Sequence, residues 1–516
     1  MRPELLEEAL GYVSDKYIQE SATIKKASPR GLSRAFGWAG AAAAILAIAL
    51  LLPAGFRKSG DSAPEAESPI ANAPAEMRPA ADTSVTDEET AYGQLSATYA
   101  LANASAPRII PVPNYEDYQE QEDYTAAVDQ WRSQGTARRT VVNQALENLS
   151  DFFRESCRIF LGNSKAENRV YSPVNSYIAL AMLAETTGGD SRQQILDVLD
   201  TPDLDTLRAQ VSAVWESTYR DDESGVSILA NSLWLDQEIS YHQEALDALA
   251  YHHYAAAYRG DLGSAEMNAV LQDWLNESTG GLLRDSVDGL ELDPDAVLAL
   301  ASTVYLRSYW SEQFNPELNT QEVFHSKNGD ITCTFMHQNG LHIFFYEYDT
   351  FTAICKGMTN GTCMWLILPN EDVEAAQLLE DGEYMDLLKD LSGNDHPNAR
   401  PAMVNLSLPR FDVASSADLK DGLMSMGITD VFGALSADFS PSLDTDTPVW
   451  VGSVKQAARV AIDEEGAEAA SYTVTGIVGS AEPVQLEEID FVLDRPFLFI
   501  IESGNLPLFA GVVNEP

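Results

Sequence analysis

The sequence predicts an α+β domain over residues 137–516, set behind an apolar span and a polar spacer. Three observations support this. Val142, Leu146, Leu149, Phe153 and Phe160 recur at helical spacing, as a core-facing helix requires. The continuous apolar run 364–368 is closed by Pro369, as a buried strand would be. The run 463–476 alternates at period two, with Ala467, Ala469, Ser471, Thr473 and Thr475 on one face and Glu468, Ala470, Tyr472 and Val474 on the other. With no proline between Asp463 and Glu482, every amide there is free to join a ladder. The run lacks the bulky residues that nucleate strands, so it reads as a strand only if a crowded sheet receives it; a surface loop is the plainer alternative.

Composition bounds the function. A formal net charge of −47 over 516 residues argues against nucleic acid and anionic lipid surfaces, which would repel the chain. Arg34 and Arg57 enclose 22 uncharged residues, long enough to cross a hydrocarbon core as a helix. The expectation is a single-pass signal anchor over 35–56. More than 30 residues precede the run, among them Glu4, Glu7 and Glu8, which disfavours a cleaved signal peptide. Lys25, Lys26, Arg30 and Arg34 lie before the span and Arg57 and Lys58 after it, placing residues 1–34 in the cytoplasm and the bulk of the chain outside. Leu5, Leu6, Ala9, Leu10 and Val13 form an apolar helical stripe in that first segment, either a dock for a partner or a stub that orients the anchor. Residues 57–136, rich in Ala, Pro, Ser and acidic side chains, read as a disordered spacer.

Cys355 and Cys363 bracket a Gly/Asn turn between apolar runs, where they can pair across a hairpin; free buried thiols are the alternative. Cys157 and Cys333 have no local partner in sequence. His252 and His253 are adjacent, and His337 and His342 are scattered in strand-like context, with no metalloprotease or nucleophile-elbow spacing. No intrinsic catalysis, cofactor or metal is expected.

Within the domain, Ser172 and Pro173 open a second helix as capping hydroxyl and first-turn proline, continued by residues 174–183. Residues 226–235 read as a strand. Trp274 with 277–283, the run from Ser302 through Tyr305 to Trp310 and Phe314, the group Leu408, Pro409, Arg410 and Phe411, the pair Asp418 and Leu419, and 426–432 follow in order. Together with 451–457, 491–501 and 508–516 around the small-residue run, these motifs resemble those of the serpin family over about residues 140–516.

The resemblance implies a serpin fold: three β-sheets, about eight to nine helices and an exposed reactive-centre loop. It implies an inhibitor of serine proteases that inserts its own cleaved loop as a new strand, with a hinge at Glu465, Gly466, Ala467, Glu468, Ala469, Ala470 and Ser471. Counting the family's spacing from Gly466 puts the reactive bond between Ser480 and Ala481. Counting back from Pro496 puts it later, giving a window of Val478, Gly479, Glu482, Pro483, Val484 and Gln485 about that bond. Ser172, Asn175, Ser302, Trp310 and Gln456 fall on the positions that control opening of the sheet. Here the chain departs from the family, with Asn175 where Ser is usual, Ser302 where Asn is usual and Gln456 where His is usual. An amide and a hydroxyl can exchange donor and acceptor roles, so Asn175, Ser302 and Gln456 are expected to form a hydrogen-bonded gate. Because no Arg or Lys lies between Arg459 and Arg495, the expected targets are elastase-like or subtilisin-like proteases with small apolar S1 pockets. A monomer is expected. A non-inhibitory surface binding module of the same fold, and more weakly an envelope receptor signalling through residues 1–34, are the alternatives.

Overall fold

The structure is a computed structural model that describes residues 43–53, 100–102, 113, 118, 121–162, 167–222, 225–278, 291–292, 294, 296–389, 396–466 and 486–516. Among them are eight α-helices and three sheets. The first sheet runs β14 (Phe411–Asp418), β16 (Ser453–Ile462), β1 (Ala43–Pro53), β8 (Ala296–Ser308), β5 (Gly225–Asp236), β7 (Ala255–Gly260) and β2 (Ala100–Ala102), with β4 (Arg220–Asp222) beside β5. The second runs β17 (Glu487–Val492), β13 (Ala399–Pro409), β10 (Gly329–Glu347), β11 (Phe351–Gly357), β12 (Thr362–Pro369), β18 (Phe497–Ser503), β19 (Leu506–Val513) and β3 (Arg169–Tyr171). There β9 (Thr320–Ser326) pairs with β10. The third is the short pair β6 (Ser240–Tyr241) and β15 (Leu443–Asp444).

Helix α1 (Gln121–Gly162) buries Val142, Leu149, Phe153 and Phe160 of the expected stripe, with Phe152 beside them; the side chain of Leu146 lies outside those described. Helix α2 (Pro173–Thr186) is apolar almost all round, and every residue in it is buried. A helix of that composition belongs inside a core rather than on a surface. It packs on β8 of the first sheet and β19 of the second, so it is the middle layer between them. Ser172 caps it, its hydroxyl accepting from Asn175 N–H, with Pro173 in the first turn as the sequence predicts. Strands β5 and β12 coincide closely with the predicted runs 226–235 and 364–369.

Two expectations are corrected. Residues 43–53 of the apolar run expected as a membrane helix over 35–56 form strand β1 instead, and among the described residues no helix is long and apolar enough to cross a membrane. An uncharged apolar segment needs only that its backbone polar groups be paired, and a sheet interior does this as well as a helix in lipid. The domain boundary also moves: α1 begins at Gln121 and β2 lies at Ala100–Ala102, both inside the span 57–136 expected as spacer. Val142 and Phe160 lock the far end of α1 into the core, and the helix propagates back into polar sequence, where each added residue costs little once nucleation is done.

Beneath the sheets, the α2 carboxylate Glu185 joins helix α4 (Leu204–Thr218) to the residue after α5 (Gln243–His252); α3 (Gly189–Val198) lies between α2 and α4 in the chain. Arg208 Nε donates to Glu185 Oε2 at 2.9 Å, Arg208 Nη2 to Oε1 at 2.5 Å, and His253 Nε2 lies 3.3 Å from Oε2. Burial pushes the Glu185 carboxyl up, but the bonds from His253 and Arg208 outweigh it and hold the group down to about 2. A carboxylate held below its unfolded value near 4.5 stabilises the fold above that pH and stops doing so as pH falls towards 2. Glu185→Gln is therefore expected to lower stability at pH 7 by on the order of 3 kcal/mol. The gap from the parent chain should close as pH falls from 4.5 to 2; denaturant midpoints at pH 7, 4 and 2.5 check this.

Candidate functional site

Strand β1 is antiparallel to both its neighbours, so β8 and β16 run parallel to each other with one strand's width between them. Eleven residue pairs link β1 to β8, and seven link it to β16. The position between β8 and β16 is a slot that takes a strand and makes this part of the sheet fully antiparallel.

Under the middle of the slot lies a buried polar cluster at the N-terminus of α2. Asn175 Nδ2 donates to the Ser302 carbonyl at 3.1 Å. Ser302 Oγ sits against Asn175 Oδ1 and 2.7 Å from Asn231 Oδ1, while Asn231 Nδ2 donates to the His253 carbonyl at 2.7 Å. One hydroxyl proton thus faces two amide oxygens and serves one at a time. On the other flank, Gln456 Nε2 donates to Ser176 Oγ at 3.0 Å, and Gln456 Oε1 accepts from Ser172 N–H at 3.4 Å. Asn175 and Ser302 are in direct contact; Gln456 joins them through Ser172, whose hydroxyl accepts from Asn175 N–H. All of these side chains are buried. Helix α2, β8 and β16 are therefore tied together by side-chain bonds across the floor of the slot.

At the mouth of the slot the chain leaving β16 is pinned to the end of β8. Gly466 forms an antiparallel bridge with Tyr309, Trp310 N–H donates to the Glu465 carbonyl at 3.1 Å, and Phe314 N–H donates to the Glu464 carbonyl at 3.0 Å. Trp310 Nε1 donates to the Asp463 carbonyl at 2.9 Å. The buried Glu464 carboxylate takes Arg410 Nη2 at 2.5 Å and a bond from Asn319 Nδ2. Asp463 is pushed up to about 6 by burial, against the Glu465 N–H that it accepts. Behind Trp310 lies Lys356, pushed down to about 7 by burial. Its Nζ donates to the Glu312 carbonyl at 2.9 Å and to Gln338 Oε1, and lies 5.1 Å from the Trp310 ring centre and 4.7 Å from that of Phe314.

The structure thus brings together Ser172, Asn175, Ser302 and Gln456 below the slot, and Trp310, Glu465 and Gly466 at its mouth. Ala467, Glu468, Ala469, Ala470 and Ser471 of the hinge, with Ser480, Ala481 and their window from Val478 to Gln485, lie outside the described residues, as does the stripe in 1–34. Cys355 and Cys363 are disulfide-bonded, but diagonally rather than face to face, since Cys363 pairs with Gly357 and Cys355 with Trp365. Sequence reasoning missed Ser176, Asn231, Arg410 and Lys356 as parts of this site. Asn231 carried a signal, an amide in mid-strand where such residues are depleted. Arg410 and Lys356 carried none, because a lone basic residue beside an apolar run is ordinary at a surface.

Fold and site together define an α+β domain with a strand-accepting central sheet. A family model described as Serpin (serine protease inhibitor) matches residues 147–516, and the chain belongs to the serpin family. That family is one of protease inhibitors, not of enzymes. The chain is 28% identical over 422 residues to alpha-1-antiproteinase 2 of Equus caballus, covering 79% of this chain and 95% of that protein. It is 29% identical over 390 residues to a serpin-like protein of Thermococcus kodakarensis, covering 73% and 86%. Among solved structures it resembles tengpin, a thermophilic serpin in the native state, with TM-score 0.61, 22% identity and coverage of 72% and 93%. The native stressed conformation of a serpin from Arabidopsis gives TM-score 0.61, 23% identity and coverage of 72% and 98%.

Gly466 has φ +94°, and a Cβ there would stand 2.4 Å from Trp310 N and 2.8 Å from Tyr309 Cα, both backbone atoms that cannot swing away. Gly466→Ala is expected to break the bridge and to lower stability by about 1–3 kcal/mol. Trp310 should become more accessible, so a lower melting temperature with a red shift in tryptophan emission is the expected result.

Proposed function

We propose that this chain is a serine protease inhibitor that works as a suicide substrate, trapping its attacker by inserting the cleaved loop between β8 and β16. The observation that supports this best is the hinge itself. Gly466 already pairs with Tyr309 at the end of β8, so a freed loop enters the slot by extending an existing bridge. Extending that pairing sets Ala469 opposite Leu306, Ser471 opposite Val304 and Thr473 opposite Ser302, so the small face of the run shares the rungs above the buried gate. Bulky or charged side chains on those rungs would have to be buried against α2.

In this reading the hydroxyl of the protease attacks the carbonyl carbon of Ser480. The bond to Ala481 breaks, Ala481 leaves as a free amine carrying the proton, and the protease stays esterified to Ser480. Insertion then outruns hydrolysis of the ester, driven by two new ladders of backbone hydrogen bonds. Asn175, Ser302 and Gln456 are the gate that must part first. With no basic residue from 460 to 494, elastase-like and subtilisin-like proteases with small apolar pockets are the targets this loop suits, and the chain works as a monomer.

One observation favours the second reading, a non-inhibitory binding module: the slot holds β1. Incubation with elastase and with subtilisin separates the two, since an inhibitor leaves an SDS-resistant conjugate whose released peptide begins after the attacked bond. Ala467→Arg, at the start of the inserting run, is expected to reduce conjugate by about tenfold or more while cleavage continues, because an Arg head group cannot follow the loop into the sheet without burying its charge. Undiminished conjugate would rule out insertion as the trapping step.

A further inference from the structure

Three side chains that suit a metal ion converge on one face of the second sheet. Cys363 on β12 stands directly opposite Glu502 on β18, and opposed residues share a face. Cys355 on β11 reaches that face from the other side, on the diagonal across the pairing of Cys363 with Gly357. The two sulfurs and a carboxylate oxygen of Glu502 all lie within 4.8 Å of one another. Both cysteines are half-buried, so solvent reaches the group, whereas Glu502 is buried.

Glu502 is the member that the packing of the domain leaves unanswered. Its Oε2 accepts from Asn505 N–H at 2.7 Å, and among the described residues it has no ion-pair partner. The other buried glutamates, Glu185 and Glu464, are each met by an arginine. A buried carboxylate is costly unless a cation or several hydrogen bonds compensate it. Joined as a disulfide, the sulfurs beside Glu502 bring it neither a proton nor a charge. Reduced, they become ligands.

We propose that Cys355, Cys363 and Glu502, once the disulfide is reduced, form a site for one zinc-type divalent ion, with water in the fourth position. A phosphine reductant breaks the S–S bond by supplying two electrons, takes oxygen from water, and leaves the two water protons on the sulfurs. The ion then displaces both thiol protons to solvent and is held by two thiolates and one carboxylate. Two sulfurs on one tetrahedral zinc stand about 3.8 Å apart. The Cα atoms of Cys355 and Cys363 are 6.2 Å apart, which lets side-chain rotation reach that spacing once the bond is cut. Thiolates select zinc and softer ions over magnesium and calcium, which take oxygen ligands.

Disulfide and metal exclude each other, so the site exists only in the reduced chain. Its ligands stand on three adjacent strands rather than on a loop, as a preorganised site requires. The hairpin bearing the cysteines is also fixed to the end of β8: Trp310 bridges Met358, Ser311 N–H donates to the Gly357 carbonyl at 3.1 Å, and Thr359 N–H to the Tyr309 carbonyl at 2.7 Å. The site stands whether or not the chain inhibits a protease.

The test uses the full chain carrying Cys333→Ser, which removes the half-buried thiol on β10 and leaves Cys157 sealed in the core. Reduced with a phosphine, this protein should bind Co²⁺ with the visible bands of a tetrahedral ion and a thiolate charge-transfer band, and Zn²⁺ should displace it. The oxidised protein should show neither band. Glu502→Gln should weaken Zn²⁺ binding about tenfold or more, read by competition with a chromophoric chelator, while the thiolate band remains. A measurement on the unsubstituted chain guards against a variant that fails to fold. After reduction, Zn²⁺ should slow iodoacetamide alkylation of Cys355 and Cys363, as mapped by peptide mass, and leave that of Cys333 unchanged. No thiolate band in the reduced protein, alkylation that Zn²⁺ does not slow, or equal Zn²⁺ affinity in the Glu502→Gln protein overturns the proposal.

Discussion

The structure turns on the demand that the facing edges of β8 and β16 have their backbone groups paired. The two strands run the same way with one strand's width between them, and each presents N–H and C=O groups into the gap. A buried unpaired backbone group costs about as much as a lost hydrogen bond, so this gap is either filled by a strand or closed by bringing the edges together.

The floor and the mouth of the slot decide in different ways. Below, neutral amides and hydroxyls from Ser172, Asn175, Asn231, Ser302 and Gln456 tie α2 to both edges with bonds that survive small shifts, because their donors and acceptors can be exchanged. The single Ser302 proton shared between two amide oxygens is such an exchangeable element. At the mouth, charge takes over. Glu464 is buried against Arg410, and Trp310 is clamped between the Asp463 carbonyl and Lys356. Glu464 is buried while Arg410 is half exposed, so removing Arg410 would leave a buried carboxylate with Asn319 alone to answer it.

The apolar run 43–53 shows how little a segment's own chemistry fixes its fold. Alanine and leucine favour helix, isoleucine favours strand, and the absence of charge permits either a bilayer or a protein core. The structure resolves the choice by pairing the segment with the edges of β8 and β16. The disulfide between Cys355 and Cys363 is a milder case of the same limit, since the turn residues place the cysteines near each other while strand register sets them on the diagonal.

Much of the fold was legible in the sequence. The helix opened by Ser172 and Pro173, the stripe of α1 and the runs that became β5 and β12 announce themselves by capping chemistry and local residue pattern, whereas β8 was placed by its resemblance to a family motif. The contact of Asn175 with Ser302, and the link of both to Gln456, were anticipated through the order of motifs, which placed three distant segments in one neighbourhood. The network partners Ser176, Asn231, Arg410 and Lys356 were not, because each is unremarkable until a second segment packs on it. Local pattern by itself determined the helix that Ser172 and Pro173 open and the strands β5 and β12. Only the tertiary structure decided which side chains meet across α2, because that depends on strand edges more than a hundred residues apart in sequence.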